Sequence, residues 1–180
     1  MSAQRLWEIT EFPFKPERQL YYETIFTIGN GYLGTRASFE ESYPGDSPST
    51  LIHGVFNHAP GMLVPELVNA PNWLDIRLTI DGTPFSLVTE VDDVDYMRPP
   101  HGLVLGYRRT LHMDRGLLRR EVLFRAASGK IARIVFERFA SLHNVHVLAQ
   151  RVEVTAVDGS IDVTIESAID GNVTNKGVRH

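Results

Sequence analysis

Val104–Arg125 reads VLGYRRTLHMDRGLLRREVLFR. Two runs rich in leucine, valine and aromatic residues, Val104–Met113 and Leu117–Arg125, flank the polar triplet Asp114-Arg115-Gly116. A short connection containing glycine between two such runs is the signature of an antiparallel hairpin. The rhythm continues toward the C-terminus. Lys130–Ser141 follows the turn Ala127-Ser128-Gly129, and Val145–Ala156 and Ile161–Ile169 flank Asp158-Gly159. In the last run Ile161, Val163, Ile165 and Ile169 share one face, while Asp162, Thr164 and Glu166 share the other. Period two predicts one buried and one wet face there. Within Ala132–Phe139, Ile134 and Phe136 face one way and Ile131, Val135 and Phe139 the other, so both faces of that strand are expected to be covered.

Upstream, Thr24–Glu41 reads TIFTIGNGYLGTRASFEE. Asn30-Gly31 predicts a tight hairpin of type I′, because both residues tolerate positive φ. A phosphate-cradling loop would need nucleotide-fold glycine spacing, a following helix and usually a lysine. Here Leu33, Thr35, Ala37 and Phe39 continue as a strand instead. Leu6–Phe14 reads as an edge strand whose pairing ends at Pro13 and Pro16, since proline cannot donate to a ladder. A short helix is expected near Pro16–Thr24, a polar turn at Ser42–Ser49 and a strand at Leu51–Phe56. Asn57–Asn72, with Pro60, Pro65 and Pro71, reads as a long irregular loop. Trp73–Ile80 and Pro84–Val88 flank the turn Asp81-Gly82, and Val91–His101 is an acidic loop holding Asp92, Asp93 and Asp95. Strands at this spacing predict an all-β fold, an antiparallel β-sandwich, with residues 1–180 forming one domain.

Composition narrows the function. Eighteen basic and twenty-two acidic side chains give the 180 residues a net charge of −4. That balance offers no basic stripe for nucleic acid and no polybasic surface for anionic lipid. The absence of cysteine excludes a disulfide framework, a thiolate zinc site and a cysteine nucleophile. No N-terminal signal region and no apolar run approaching the ~20 residues of a membrane span occur. A soluble, cytoplasmic chain is the expectation.

The chemistry-bearing residues offer little catalysis. His143 and His146, three apart in a strand, would point to opposite faces, and His53, His58 and Glu66 lack metal-protease spacing. No metal and no cofactor is expected. Glu40 and Glu41, read as strand neighbours on opposite faces, do not form a glycosidase pair. No G-x-S-x-G elbow is present, so no catalytic residue is assigned. The segment Glu66–Asp75, ELVNAPNWLD, is the exception. Amides and carboxylates suit sugar hydroxyls, and a tryptophan face suits a pyranose. Glu66, Asn69, Asn72 and Trp73 are therefore the candidate substrate-binding residues. The competing reading is a proline-stiffened turn with Trp73 in the core.

Gly29–Glu41 (GNGYLGTRASFEE), Glu66–Gly82 (ELVNAPNWLDIRLTIDG) and Leu111–Phe124 (LHMDRGLLRREVLF), in this order, resemble the N-terminal domain of glycoside hydrolase family 65. The resemblance runs from Trp7 to about Asn172. It implies a large β-sandwich of the kind that precedes an (α/α)6 barrel in maltose, trehalose and kojibiose phosphorylases and trehalose hydrolases. It also implies that the general-acid glutamate, most glucose-binding residues and the phosphate site belong to that barrel. In a full-length relative the partners would be an α-linked glucose disaccharide and inorganic phosphate. The family's sandwich is longer than 180 residues, so the resemblance implies an incomplete one with exposed edges that associates with itself as a homo-oligomer. A free-standing carbohydrate-binding module and a structural or oligomerisation domain are the alternatives.

Overall fold

The computed structural model describes residues 7–43, 45–58, 63–87 and 102–175. Among them run twelve strands: β1 Glu8–Glu11, β2 Ile28–Gly29, β3 Leu33–Thr35, β4 Thr50–Asn57, β5 Glu66–Asn69, β6 Ile76–Ile80, β7 Thr83–Pro84, β8 Leu103–His112, β9 Leu117–Arg125, β10 Ile131–Ala140, β11 Leu148–Ala156 and β12 Val163–Ser167. A 3-10 turn, Pro16–Arg18, leads into the one helix, α1 (Gln19–Ile25). The strands form three sheets in the orders β1-β8-β9-β10-β11, β12-β6-β7 and β2-β3-β4-β5, and every pairing is antiparallel. The expected all-β, antiparallel sandwich is what the chain forms. The acidic loop of Val91–His101, with Asp92, Asp93 and Asp95, lies outside the described residues.

Alternation builds the core. β9 is buried at every second position, placing Leu118, Arg120, Val122 and Phe124 on one face. β10 contributes Ala132, Ile134 and Phe136 to the same layer. Ile76, Leu78 and Ile80 of β6 pack against them from the three-stranded sheet, with Phe39 and Phe85 between. A second cluster, Phe26, Ile28, Ala37, Leu111 and Leu118, joins α1 and β2 to the end of the five-stranded sheet. The outer face of that sheet carries charges that answer one another: Arg119 pairs with Glu121 and Glu137, Arg133 with Glu121, and Arg151 with Glu137 and Glu153. Val135, between Glu121 and Glu153 in the register, is buried among them. Both faces of β10 are thus covered at that point, the outer one by charged side chains with aliphatic stems.

Four local expectations change. The first is the glycine-rich turn, which sits one residue later: Gly31 takes φ 88° and Asn30 does not take positive φ. Gly31 and Tyr32 are its central residues, with the Asn30 N–H donating to the Leu33 carbonyl at 3.0 Å. Positive φ at the first central position alone is the type II′ pattern. Type I′ geometry appears instead at Asp81-Gly82, φ 46° and 73°. Second, the stretch Asn57–Asn72 contains a strand, β5, which pairs with β4. The free edge of β5 is capped by one side chain: the Asn69 N–H donates to Asn175 Oδ1 at 2.8 Å, and Asn175 Nδ2 donates to the Leu67 carbonyl at 2.7 Å. Third, β12 is exposed on both faces rather than one. It is the outermost strand of its sheet, pairing only with β6, and no other layer stacks on it among the described residues. Fourth, Glu40 and Glu41 occupy a turn, so strand alternation does not separate them.

Candidate functional site

The densest chemistry lies between the layers. The register places Glu11, Arg109, Arg120 and Phe136 in one row across β1, β8, β9 and β10. Two arginines directly opposite each other repel, so each needs its own counter-charge. Arg109 donates through Nε to Glu11 at 3.0 Å, through Nη2 to Gln19 at 3.1 Å and through Nη1 to the Ala37 carbonyl at 2.9 Å. Its guanidinium lies 4.9 Å from the ring centres of both Phe26 and Phe39. Tyr107 donates its hydroxyl to Glu11 at 2.6 Å. Arg120 donates to Glu41 at 2.7 Å and to Glu40 at 2.6 Å, packed 4.3 Å from the Phe136 ring. Glu40 and Glu41, expected on opposite faces, thus converge on one cation. Arg138 donates to the Ser38 carbonyl at 2.7 Å and faces Glu40 at 3.7 Å. Glu23, fully buried in α1, accepts from Tyr43 at 2.5 Å and from Arg36 at 3.3 Å.

Burial sets the electrostatics of this network. Loss of hydration pushes the Arg138 guanidinium down to about 10, with Glu40 opposing the shift. Burial also disfavours the charge of Arg120, but Glu41 and Glu40 outweigh it and hold the group above its ordinary value. Tyr107 is raised chiefly by burial, as is Tyr43, where the hydrogen bond to Glu23 adds to the effect. The gap enclosed by Phe39, Glu40, Arg109, Arg120, Phe136 and Arg138 has no room for a water molecule. Substrate cannot reach these carboxylates, and four glutamates facing four arginines is the balance of a structural clamp. Sequence reading missed it, yet a signal was available: Arg109, Arg120 and Arg138 all fall in the apolar phase of their strands, level with Tyr107, Val122 and Phe136.

The sugar-binding candidates occupy another part of the fold. Glu66 begins β5, opposite Asn57. Asn69 ends that strand, and its amide accepts from the Thr50 N–H at 2.9 Å and donates to the Pro48 carbonyl at 3.1 Å. Asn72 forms a bridge with Asp170 and accepts the Leu74 N–H at 3.1 Å. Trp73 is half-buried, and its carbonyl accepts from Gln150 Nε2 at 2.9 Å. Asn69 and Asn72 thus both hold backbone. Among the histidines, His143 and His146 lie in the loop between β10 and β11 rather than in a strand. No group of three or more potential ligands gathers among the described residues.

Two open clefts flank the glycine-rich hairpin. One of about 550 Å³ lies between β2, the Met113–Gly116 turn and Phe139–His143. The other, about 330 Å³, lies over the outer face of β3 and β4, with Tyr32, Leu51, His53 and Leu67 around the glycines. Asn30 ties this region together. Its Oδ1 accepts from the Tyr32 and Leu33 N–H groups, and its Nδ2 donates to the Ser141 and Val145 carbonyls at 2.7 and 3.0 Å. Tyr32 rests edge-on against His146, ring centres 4.5 Å apart.

The family model described as "Glycosyl hydrolase family 65, N-terminal domain" matches residues 9–180. A kojibiose phosphorylase of Halothermothrix orenii is 34% identical over 174 residues, which cover 97% of this chain and 21% of that protein. The α,α-trehalose phosphorylase of Thermoanaerobacter brockii is 32% identical, over 94% of this chain and 22% of its own length. The maltose phosphorylase of Bacillus subtilis is 32% identical, over 98% and 24%. A solved chain assigned as a kojibiose phosphorylase from human microbiome superposes with a TM-score of 0.80 at 21% identity, covering 96% of this chain and 22% of that one. The chain spans about a fifth of the length of the curated relatives it matches.

Proposed function

The chain belongs to the N-terminal domain of glycosyl hydrolase family 65, and from that premise we propose that it is the scaffold module of a disaccharide phosphorylase. The whole protein's substrates would be an α-linked glucose disaccharide and inorganic phosphate. In it, inverting attack by phosphate on the glucosidic bond would be assisted by a glutamate that protonates the leaving oxygen. That glutamate lies in polypeptide beyond these 180 residues. The observation that carries the reading is the family match over nearly the whole chain, combined with relatives nearly five times as long. The buried clamp supports it, since the carboxylates that could do acid–base work here are sequestered by arginine.

Within this reading the 180 residues form one β domain, work in the cytoplasm and associate with a second copy. Of the four candidates Glu66, Asn69, Asn72 and Trp73, Glu66 and Trp73 would meet the sugar at the edge of its site, with Asn69 and Asn72 holding the main chain that presents them. An assay of the purified 180-residue chain with kojibiose, maltose or trehalose plus phosphate is expected to release no glucose phosphate. Release by this chain alone would overturn the proposal. Calorimetric titration with the same sugars tests the four residues. Weak binding lost in Trp73→Ala supports their role, and binding unchanged in that variant removes it.

A further inference from the structure

Among the described residues nothing requires glycine at position 34. It sits in the middle of β3, its φ is ordinary, and a Cβ built there meets nothing within 4 Å. Glycine inside a strand weakens it, and it often marks a place where another backbone or side chain approaches closely. The register sets Gly29, Gly34, Leu51 and Asn69 side by side on one face, with Leu67 and its partner Phe56 further along the same face. The opposite face holds Ile28, Thr35 and Thr50, all buried. The glycine face is therefore the outer one. Its hollow of about 330 Å³ is floored by Gly29, Gly31 and Gly34 and lined without a single Asp, Glu, Lys or Arg.

We propose that this face is where two copies of the chain pack, related by a two-fold axis, with Phe56 of each seated over Gly34 of the other. The inference deepens the reading that the chain self-associates, by naming the surface. A two-fold interface must be self-complementary, so that residue i meets j and j meets i. This face carries both halves of such a contact: a glycine hollow, and an aromatic ring on the neighbouring strand that is 58% exposed. Aromatic side chains covering strand glycines are a known way of restoring the packing that glycine gives up. On this face Leu51, Phe56 and Leu67 are exposed, and the loop that joins β4 to β5 exposes Leu63 and Val64 beside them. Charge depletion is the compositional mark of an interface centre, and the lining has it.

The absence of cysteine makes the test direct. Light scattering of the 180-residue chain is expected to give a dimer. Gly34→Leu, whose Cβ meets nothing in the described chain and whose side chain occupies the hollow, and Phe56→Ser, which removes the ring, are each expected to give monomers that keep the parent's circular dichroism. The doubly substituted Gly34→Cys, Phe56→Cys chain is expected to form disulfide-linked dimers under mild oxidation. A dimer that survives both single substitutions places the contact elsewhere, overturning this surface while leaving self-association standing. A parent chain that stays monomeric at high concentration overturns both, and leaves the face to be covered by the further polypeptide that the relatives possess.

Discussion

Arg119 and Arg120 are neighbours in sequence and opposites in consequence. Arg119 projects into water and shares its charge with Glu121 and Glu137, both partly exposed. Arg120 projects into the core, where its side chain is 3% exposed and faces two buried carboxylates. Surface pairs contribute ~0–1 kcal/mol, whereas removing one partner of a buried pair strands a charge and costs about 3–5 kcal/mol. Urea unfolding should therefore show a small loss for Arg119→Ala and a loss of that larger size for Arg120→Ala. Arg120→Met combined with Glu40→Gln and Glu41→Gln should recover much of it, because no charge is then left unmatched. Equal effects of the two alanine variants would refute the clamp. Two carboxyls outside the clamp are held below their ordinary values. The Asp162 N–H, followed by Ser128 and Lys130, holds the Asp81 carboxyl below its ordinary 3.8, and Arg133 and Arg119 hold Glu121 below its ordinary 4.5. A depressed carboxyl stabilises the fold above its unfolded value and stops doing so once protonated. Thermal stability should hold down to about pH 5 and fall as pH drops through 4.5 and then 3.8 toward the lowered values. Asp81→Asn should flatten the lower part of that fall; an unchanged pH profile in that variant counts against the assignment.

At the level of elements, the best test lies where one side chain joins two loops. Asn30 makes four hydrogen bonds, two accepted within its own turn and two donated to the loop after β10. Each contributes roughly 1 kcal/mol net, and leaving partners unsatisfied costs more. Asn30→Ala should lose about 2–4 kcal/mol in chemical denaturation. Asn30→Asp should be no better, since it keeps the two acceptor roles but sets a carboxylate against two carbonyls. A loss below half a kilocalorie for Asn30→Ala would mean the loops hold without it. The turn itself shows what sequence can and cannot reveal. The strands β8 to β11 were legible because Asp114-Arg115-Gly116 and Ala127-Ser128-Gly129 punctuate alternating runs, and local propensity agrees with the final packing there. β5 was not legible: it is four residues long, sits between prolines, and owes its capped edge to Asn175, over a hundred positions away. The glycine-rich turn lies one residue later than expected, with Asn30 outside the left-handed region, its Oδ1 accepting the Tyr32 and Leu33 N–H groups and its Nδ2 reaching the Ser141 and Val145 carbonyls. Of the sugar candidates, Asn69 and Asn72 hold main chain, which residue type alone does not disclose.

Across the whole molecule, burial is uneven in a way that dictates how the chain opens. β9 and β10 lie in the middle of the largest sheet, with Val122, Ala132 and Ile134 showing no exposed surface. Exposing their amides requires the two core layers to separate, which is global unfolding. β12 is different: among the described residues it pairs only with β6, and all five of its residues are exposed. Its ladder is held by hydrogen bonds with little apolar burial behind them, and such elements open at a fraction of the global free energy. Amide exchange should therefore follow a hierarchy, with β12 exchanging on the order of tenfold or more faster than β9 and β10. Mild denaturant should merge the rates of β9 and β10 into the global transition while leaving β12 largely insensitive, since its opening exposes little new surface. The Arg120→Ala substitution separates the two regimes further. It weakens the interlayer clamp, so it should accelerate β9 and β10 and leave β12 unchanged. Protection of β12 equal to that of β10 in the parent chain would show that β12 is buried by something, and would place its cover ahead of the glycine face as the next surface to identify.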